Sequence, residues 1–327
     1  MAQIVLGIAS SHSPQLSTPP EHWDVLVKDD MARPHKLIGR DGRGRTYAEL
    51  LAQADPNIAK QIDPELKEHR YDVCQRAIHN LAQTIEDGRL DLLFVIGDDQ
   101  DELLHADNMP AFSMYWGETL MFSPRRFAQA PGYYRYSAWS YGTEEAVAPV
   151  PSALAKNTIE AMSERGFDVA ASHQLPDDRG IGHAFGFVHQ RLLNGRTLPM
   201  IPVLINTFYA PNQPTARRCY DFGQALGEVI HELPGNLRVG VVASGGLSHF
   251  VVDSELDEQL LYALQTKDRE QLRAFPQEAL QSGTSEARNW IAAAAAMPHL
   301  DMKLIDYVPC YRSPAGTGCA MGFAEWS

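Results

Sequence analysis

One stretch constrains the fold more than any other: Leu237 to Leu261, LRVGVVASGGLSHFVVDSELDEQLL. Its first part, Leu237 to Ala243, is a short, valine-rich apolar run and reads as a buried strand. Ser244-Gly245-Gly246 breaks it, because paired glycines open backbone angles closed to other residues. Leu247-Ser248-His249 follows, so an imidazole falls just past the carboxyl end of a strand, where open α/β sheets place their ligand crevices. Six residues later Glu255 opens a helical segment, with Asp253 or Ser254 as its N-cap. The loop thus offers an imidazole and a carboxylate to one crevice; the plainer alternative is a tight turn before a solvated helix start.

The same grammar recurs along the chain. Ile4 to Ala9 is a compact apolar run that ends at Ser10-Ser11-His12-Ser13-Pro14. Its His12 is either a site residue or a hydrogen-bonded histidine in a polar loop. Leu16 to Gly44 is irregular and rich in Pro, Asp and Arg, a candidate flap. From Pro64 to Gly88 the apolar positions Leu66, Val73, Ala77, Leu81 and Ile85 share one helical face. Leu90 to Ile96 is a second strand, followed by Gly97-Asp98-Asp99-Gln100-Asp101-Glu102, whose acids either lie in water or surround cations.

Further on, Pro151 to Arg165 reads as a helix, Phe167 to Ser172 as a strand, and Gly180-Ile181-Gly182-His183 as a loop feeding a helix to Leu193. Leu198 to Ile205 is a strand that contains Pro199 and Pro202, which predicts an edge or an irregular start. Pro214 to Leu233 is helical, Met302 to Val308 is a last strand, and Gly316, Gly318 and Gly322 predict a flexible C-terminal loop. This β-α alternation predicts one α/β domain over residues 1–327, with a mixed or mostly parallel central sheet and helices on both faces.

Bulk properties exclude several classes. A net charge of −13, with no basic run, argues against a nucleic-acid partner. Cys74, Cys219, Cys310 and Cys319 show no CxxC spacing and fit a reducing compartment. The N-terminal apolar run lacks a basic flank, and Ile291 to Met297 is far too short to span a bilayer. The expectation is a cytoplasmic protein with no membrane partner. Neither a G-x-S-x-G elbow nor a G-x-G-x-x-G fingerprint occurs, which removes a serine nucleophile and a dinucleotide site.

His12, Asp99-Gln100, His249 and Glu255 share one description: each lies just past, or beside, the carboxyl end of an expected strand, and His183 joins them. Two imidazoles and a carboxylate can form a facial metal triad that leaves positions open. With Ser11-His12-Ser13-Pro14, Gly97 to Gln100 followed by Pro110, Gly182-His183, the run Ser244 to His249, and Thr284-Ser285-Glu286 with Asn289-Trp290-Ile291, the chain resembles the class III extradiol ring-cleaving dioxygenases. That resemblance implies a non-haem Fe(II) enzyme that opens a catechol-type aromatic such as protocatechuate, gallate or a methylgallate, using O2. It implies His12 and Glu255 as iron ligands, Gln100 at the position of a second histidine ligand, and His183 and His249 as an acid–base pair. Gln100 is the departure: an amide oxygen is neutral and should hold Fe(II) less tightly than imidazole. His105 is the nearest imidazole that could substitute, five residues off register.

Two other readings share this fold: a metal-assisted hydrolase using the acidic run Asp98 to Glu102, and a metal-poor binding protein. Arg125, Arg126 and Tyr136 are candidate clamps for a substrate carboxylate. The aromatic residues Ala130 to Tyr141 suit a pocket wall or a subunit contact, with a homodimer, or a small accessory subunit, as the expected assembly.

Overall fold

The computed structural model of the chain describes residues 1–33, 36–127, 142, 144–176 and 180–327. Its strands, in chain order, are β1 (Gln3–Ser10), β2 (Leu92–Asp98), β3 (Phe112–Tyr115), β4 (Thr119–Phe122), β5 (Ala146–Pro149), β6 (Ala170–Ser172), β7 (Met200–Ile205), β8 (Arg238–Ser244), β9 (His249–Val251), β10 (Met302–Tyr311) and β11 (Thr317–Trp326). Nine of these form one mixed sheet in the order β10-β11-β1-β8-β2-β7-β3-β6, with β9 added alongside β11. The centre is parallel: β1 pairs β8, β8 pairs β2, and β2 pairs β7. This is the expected α/β architecture with a mixed, mostly parallel core.

Every residue of β2 and β7 is buried, so these strands need apolar side chains on both faces, which explains their unbroken hydrophobic runs. Helices cover both sides. Leu6 of β1 lies under Gly88, at the end of the helix Pro64–Asp87, while its neighbour Gly7 faces Met297, just past the helix Ala287–Ala296. Adjacent strand residues point to opposite faces, so these helices lie on opposite sides of the sheet. The alanine-rich stretch near residue 293 has a packing reason. A Cβ at Gly223 or Gly227 of the helix Ala216–Glu232 would sit 1.9 or 2.1 Å from the carbonyl oxygens of Ala292 and Ala296. Only small residues let the two helices come that close.

Three expectations need correction. The stretch Leu16 to Gly44 is not irregular throughout, since it carries the helix Trp23–Ala32. β7 is a central strand, not an edge, despite Pro202. The Asn206 N–H reaches the Ala111 carbonyl on the β3 side, so, by alternation, the nitrogens of Leu204 and Pro202 face that side too. Pairing with β3 stops at Val203, so Pro202 removes no rung. The glycine-rich C-terminus is not a loop either. It is β11, almost wholly buried, hydrogen-bonded between β10 and β1. A Cβ at Gly318 would lie 2.3 Å from the Cys310 carbonyl oxygen, so close strand approach, not flexibility, accounts for glycine there. The four cysteines are buried and not joined as disulfides. Among the described residues no helix is long and apolar enough to cross a membrane. The stretch Ala130 to Tyr141, expected to form an aromatic wall or subunit contact, lies outside the described residues.

Candidate metal centre

Because β1, β2 and β8 run parallel, their carboxyl ends deliver His12, Asp98 and Ser244 to one rim. The group His12, Asp98, His183 and Glu286 has one donor atom from each residue within 4.8 Å of all the others. His12, Asp98 and Glu286 are buried, and the His183 side chain is 17% exposed.

Hydrogen bonds fix which face of each imidazole looks into the group. Ser244 Oγ donates to the Ala184 carbonyl at 2.7 Å and therefore accepts from His12 Nδ1–H at 2.9 Å. The His12 Nε2 lone pair is left facing Glu286 Oε2 at 3.3 Å and Asp98 Oδ1 at 3.8 Å. His183 heads the short helix His183–Phe187, where its backbone N–H and its Nδ1–H both donate to Glu102, the latter at 2.7 Å. Its Nε2 also turns inward and lies 3.1 Å from His12 Nε2. Two nitrogen lone pairs at that separation repel unless a cation, proton or metal ion, sits with them. Carboxylate–imidazole pairs that orient a ring in this way are the usual support for a metal-ligating histidine.

Glu286 closes the 3-10 turn Ser282–Glu286 and leads into the buried helix Ala287–Ala296. The turn is stapled to His249: Thr284 Oγ1 accepts from the His249 N–H and donates to its carbonyl. A Cβ at Gly283 would stand 2.1 Å from His249 Cδ2, so glycine lets the ring pack flat against the turn. Glu286 Oε2 accepts from Gly246 N–H at 2.6 Å, and Oε1 faces His249 Nε2 at 3.2 Å. His249 Nδ1–H donates to the Leu247 carbonyl, which leaves Nε2 as its exchangeable position.

The charges hold one another in place. Burial works against charge on His183, yet Glu102, Asp98 and Glu286 raise its pKa to about 10. His249 is raised to about 9, again against burial, by Glu286. Burial would raise Glu286, but His249 and His12 hold it well below the usual carboxylate range. For Asp98, burial and the neighbouring Glu286 act together and push it up.

The residues singled out from sequence divide sharply. His12, His183 and His249 converge. Gln100 stands beside them, its Nε2 donating to Glu286 Oε1 at 2.8 Å and Asp98 Oδ2 at 3.1 Å. Glu255 does not join them. Its side chain is 72% exposed and paired with Arg40 at 2.9 Å. Asp253, one of the two expected candidates, is the N-cap of that helix, and Glu255, two residues on, falls on its outer face. The inward acid of the segment is Asp257, which accepts from Ser248 N–H, Ser248 Oγ and Tyr307 OH, and whose burial raises its pKa to about 6. His105 is also outside, bonded to Asp101.

The acidic run is neither a solvated loop nor a single cation cage, because its members have separate partners. Asp98 enters the donor group, Asp99 accepts from the backbone N–H groups of Glu102, Leu103 and Leu104, and Glu102 orients His183. Arg125 is paired with Glu145, while the Arg126 side chain and Tyr136 lie outside what is described. Sequence reasoning placed Asp98 and Glu102 only in an undivided acidic run that could surround a cation, and quoted Glu286 without giving it a role. For Glu286 a signal existed: an acid set among small residues directly before a segment as apolar as Trp290 to Met297 has to find a buried partner.

Two imidazoles and two carboxylates, buried together at the carboxyl rim of an α/β sheet, have the donor chemistry of a divalent-metal centre, and they fit such an ion. Comparison with known proteins narrows the class. Residues 127–317 match the family described as the catalytic LigB subunit of aromatic ring-opening dioxygenase, and the chain belongs to that family. Curated relatives include proteins named 2,3-dihydroxyphenylpropionate/2,3-dihydroxicinnamic acid 1,2-dioxygenase. The one from Photorhabdus laumondii is 29% identical over 71% of this chain and 68% of its own. That from Klebsiella pneumoniae is 30% identical over 58% and 52%. A gallate dioxygenase of Pseudomonas putida is 33% identical over 31% and 29%. The chain thus spans from about a third to two thirds of the length of the curated relatives it matches.

Proposed function

We propose that this protein opens the ring of a catechol-type aromatic diol with O2, cutting beside the two hydroxyls, with Fe(II) held by the group around His12 and Glu286. The observation that carries this reading is the buried donor set itself, in a chain of the LigB family. When bound, the iron would bring diol and O2 together and pass electrons between them.

The chain's own residues supply the rest. Ser244 and Glu102 hold the His12 and His183 rings, so the donor group needs little rearrangement on loading. His249 is the acid–base group: with Nδ1–H committed to Leu247, Nε2 is the position through which it exchanges a proton with a diol hydroxyl. Glu286 sits within 3.2 Å of that nitrogen, so charge at the metal position and protonation of His249 are linked. Asp257 fixes Ser248 from behind and thereby the approach of His249.

Protocatechuate, gallate and its methyl ethers remain the proposed substrates, joined by 2,3-dihydroxyphenyl acids on the strength of the relatives' names. The test is oxygen uptake by anaerobically Fe(II)-loaded protein with these diols. Stoichiometric uptake with a yellow ring-opened product is expected. A protein that binds iron fully but consumes no oxygen with any of them contradicts the assignment.

A further inference from the structure

The geometry points to a rebuilt ligand set in this chain: His12, His183 and Glu286 hold the metal, Asp98 is a fourth donor, and Gln100 clamps the two carboxylates without ligating. This rests on the metal-dependent reading above and departs from the ligand pattern that the resemblance implied, in which position 100 ligates and His183 exchanges protons.

Four observations carry it. First, Gln100 is committed. Its amide nitrogen spends its two N–H groups on Glu286 Oε1 and Asp98 Oδ2. Turning the amide over would set its oxygen against two carboxylate oxygens, acceptor against acceptor, so the observed orientation is the one the chemistry requires. The amide oxygen therefore points away from the donor group. Second, His183 has what a ligand needs: Glu102 takes its Nδ1–H and the Nε2 lone pair is turned inward. Third, His12 Nε2 lies 3.1 Å from His183 Nε2 and 3.3 Å from Glu286 Oε2. Donors bound side by side at about 2.1 Å stand about 3 Å apart, so these spacings already suit one ion. Fourth, His249 is excluded from the set because its Nε2 addresses the other oxygen of Glu286, Oε1, away from His12.

Two imidazoles and a carboxylate restore the 2-His-1-carboxylate composition that a glutamine at position 100 would otherwise break. The second imidazole has moved from the β2 end to the start of the helix His183–Phe187. Asp98 adds a second carboxylate, held to the ion's side by Asn289 at 3.3 Å and by Gln100.

The experiment is anaerobic Fe(II) titration of the full-length protein, with pulsed EPR of the iron–nitric oxide adduct to count coordinated imidazole nitrogens. Two imidazoles are expected in the wild type and in Gln100→Ala, whose affinity falls by about 10- to 100-fold. His183→Ala should show one imidazole and an affinity loss beyond about 100-fold, the upper end for a group that only supports a ligand. The wild type and Gln100→Ala decide the matter even if His183→Ala does not fold. A single imidazole in the wild type, or loss of one in Gln100→Ala, overturns the proposal. Two imidazoles without oxygen uptake would leave this ligand set standing and remove ring cleavage; uptake with one imidazole would do the reverse.

Discussion

Glu255 and Glu286 are two glutamates beside the first turn of a helix, and the chain uses them in opposite ways. Glu255 lies six residues from His249 in sequence, yet its carboxylate is exposed and held by Arg40. Glu286 lies 37 residues from His249 but stands 3.2 Å from its ring. The difference comes from the neighbours of each helix. The helix Ser254–Gln265 turns Leu256, Asp257, Leu260 and Leu261 inward, and this places Glu255 outside. The helix Ala287–Ala296 is buried almost all round, so the residue that caps it has no route to water. A charge there persists only when opposite charge and donors surround it, and His12, His249, Gly246 and Gln100 do so.

Substitutions can break this contrast at graded cost. Glu286→Gln keeps an acceptor for Gly246 but removes the charge, and ring-opening turnover should fall by more than about 100-fold, read by oxygen uptake at saturating Fe(II). Next comes His249→Ala, which should retain iron while turnover drops about 100- to 10,000-fold, the usual contribution of general acid–base catalysis; full activity would remove His249 from that role. Asp257 supplies a third, stability-based measure. Its folded pKa of about 6 lies above the ordinary value of 3.8, so the native state binds more protons than the unfolded state between those values. Its contribution is therefore complete below pH 3.8 and is lost as pH rises through 6, up to about 3 kcal/mol. Denaturant melts across pH 4 to 7 should show a shallower dependence in Asp257→Asn than in the wild type. The smallest effect belongs to Glu255→Ala, whose surface pair with Arg40 is worth at most about 1 kcal/mol. Its melting curve should barely move and its turnover should not change.

What could be read in the sequence follows the same line. Apolar runs closed by glycine or histidine placed β1, β2 and β8, and the parallel register of those strands brought His12 and His249 to one rim as expected. Their strand ends are local signals. Glu286 is not, because its partners come from segments around residues 12, 100 and 249, and only the closed fold shows that they meet. The DDQDE run misled for a related reason: its acids alternate between the donor group, backbone N–H groups and His183, a division that no spacing rule contains. β11 was hidden because its glycines serve packing against Cys310 and Leu247, which composition alone reads as flexibility.

The most direct test of the account is an anaerobic Fe(II) titration of the wild type, Glu286→Gln and Glu255→Ala side by side, read as bound iron per chain. One iron in the wild type and in Glu255→Ala, with little or none in Glu286→Gln, is the result expected from the buried donor group. Iron lost in Glu255→Ala and kept in Glu286→Gln would contradict it.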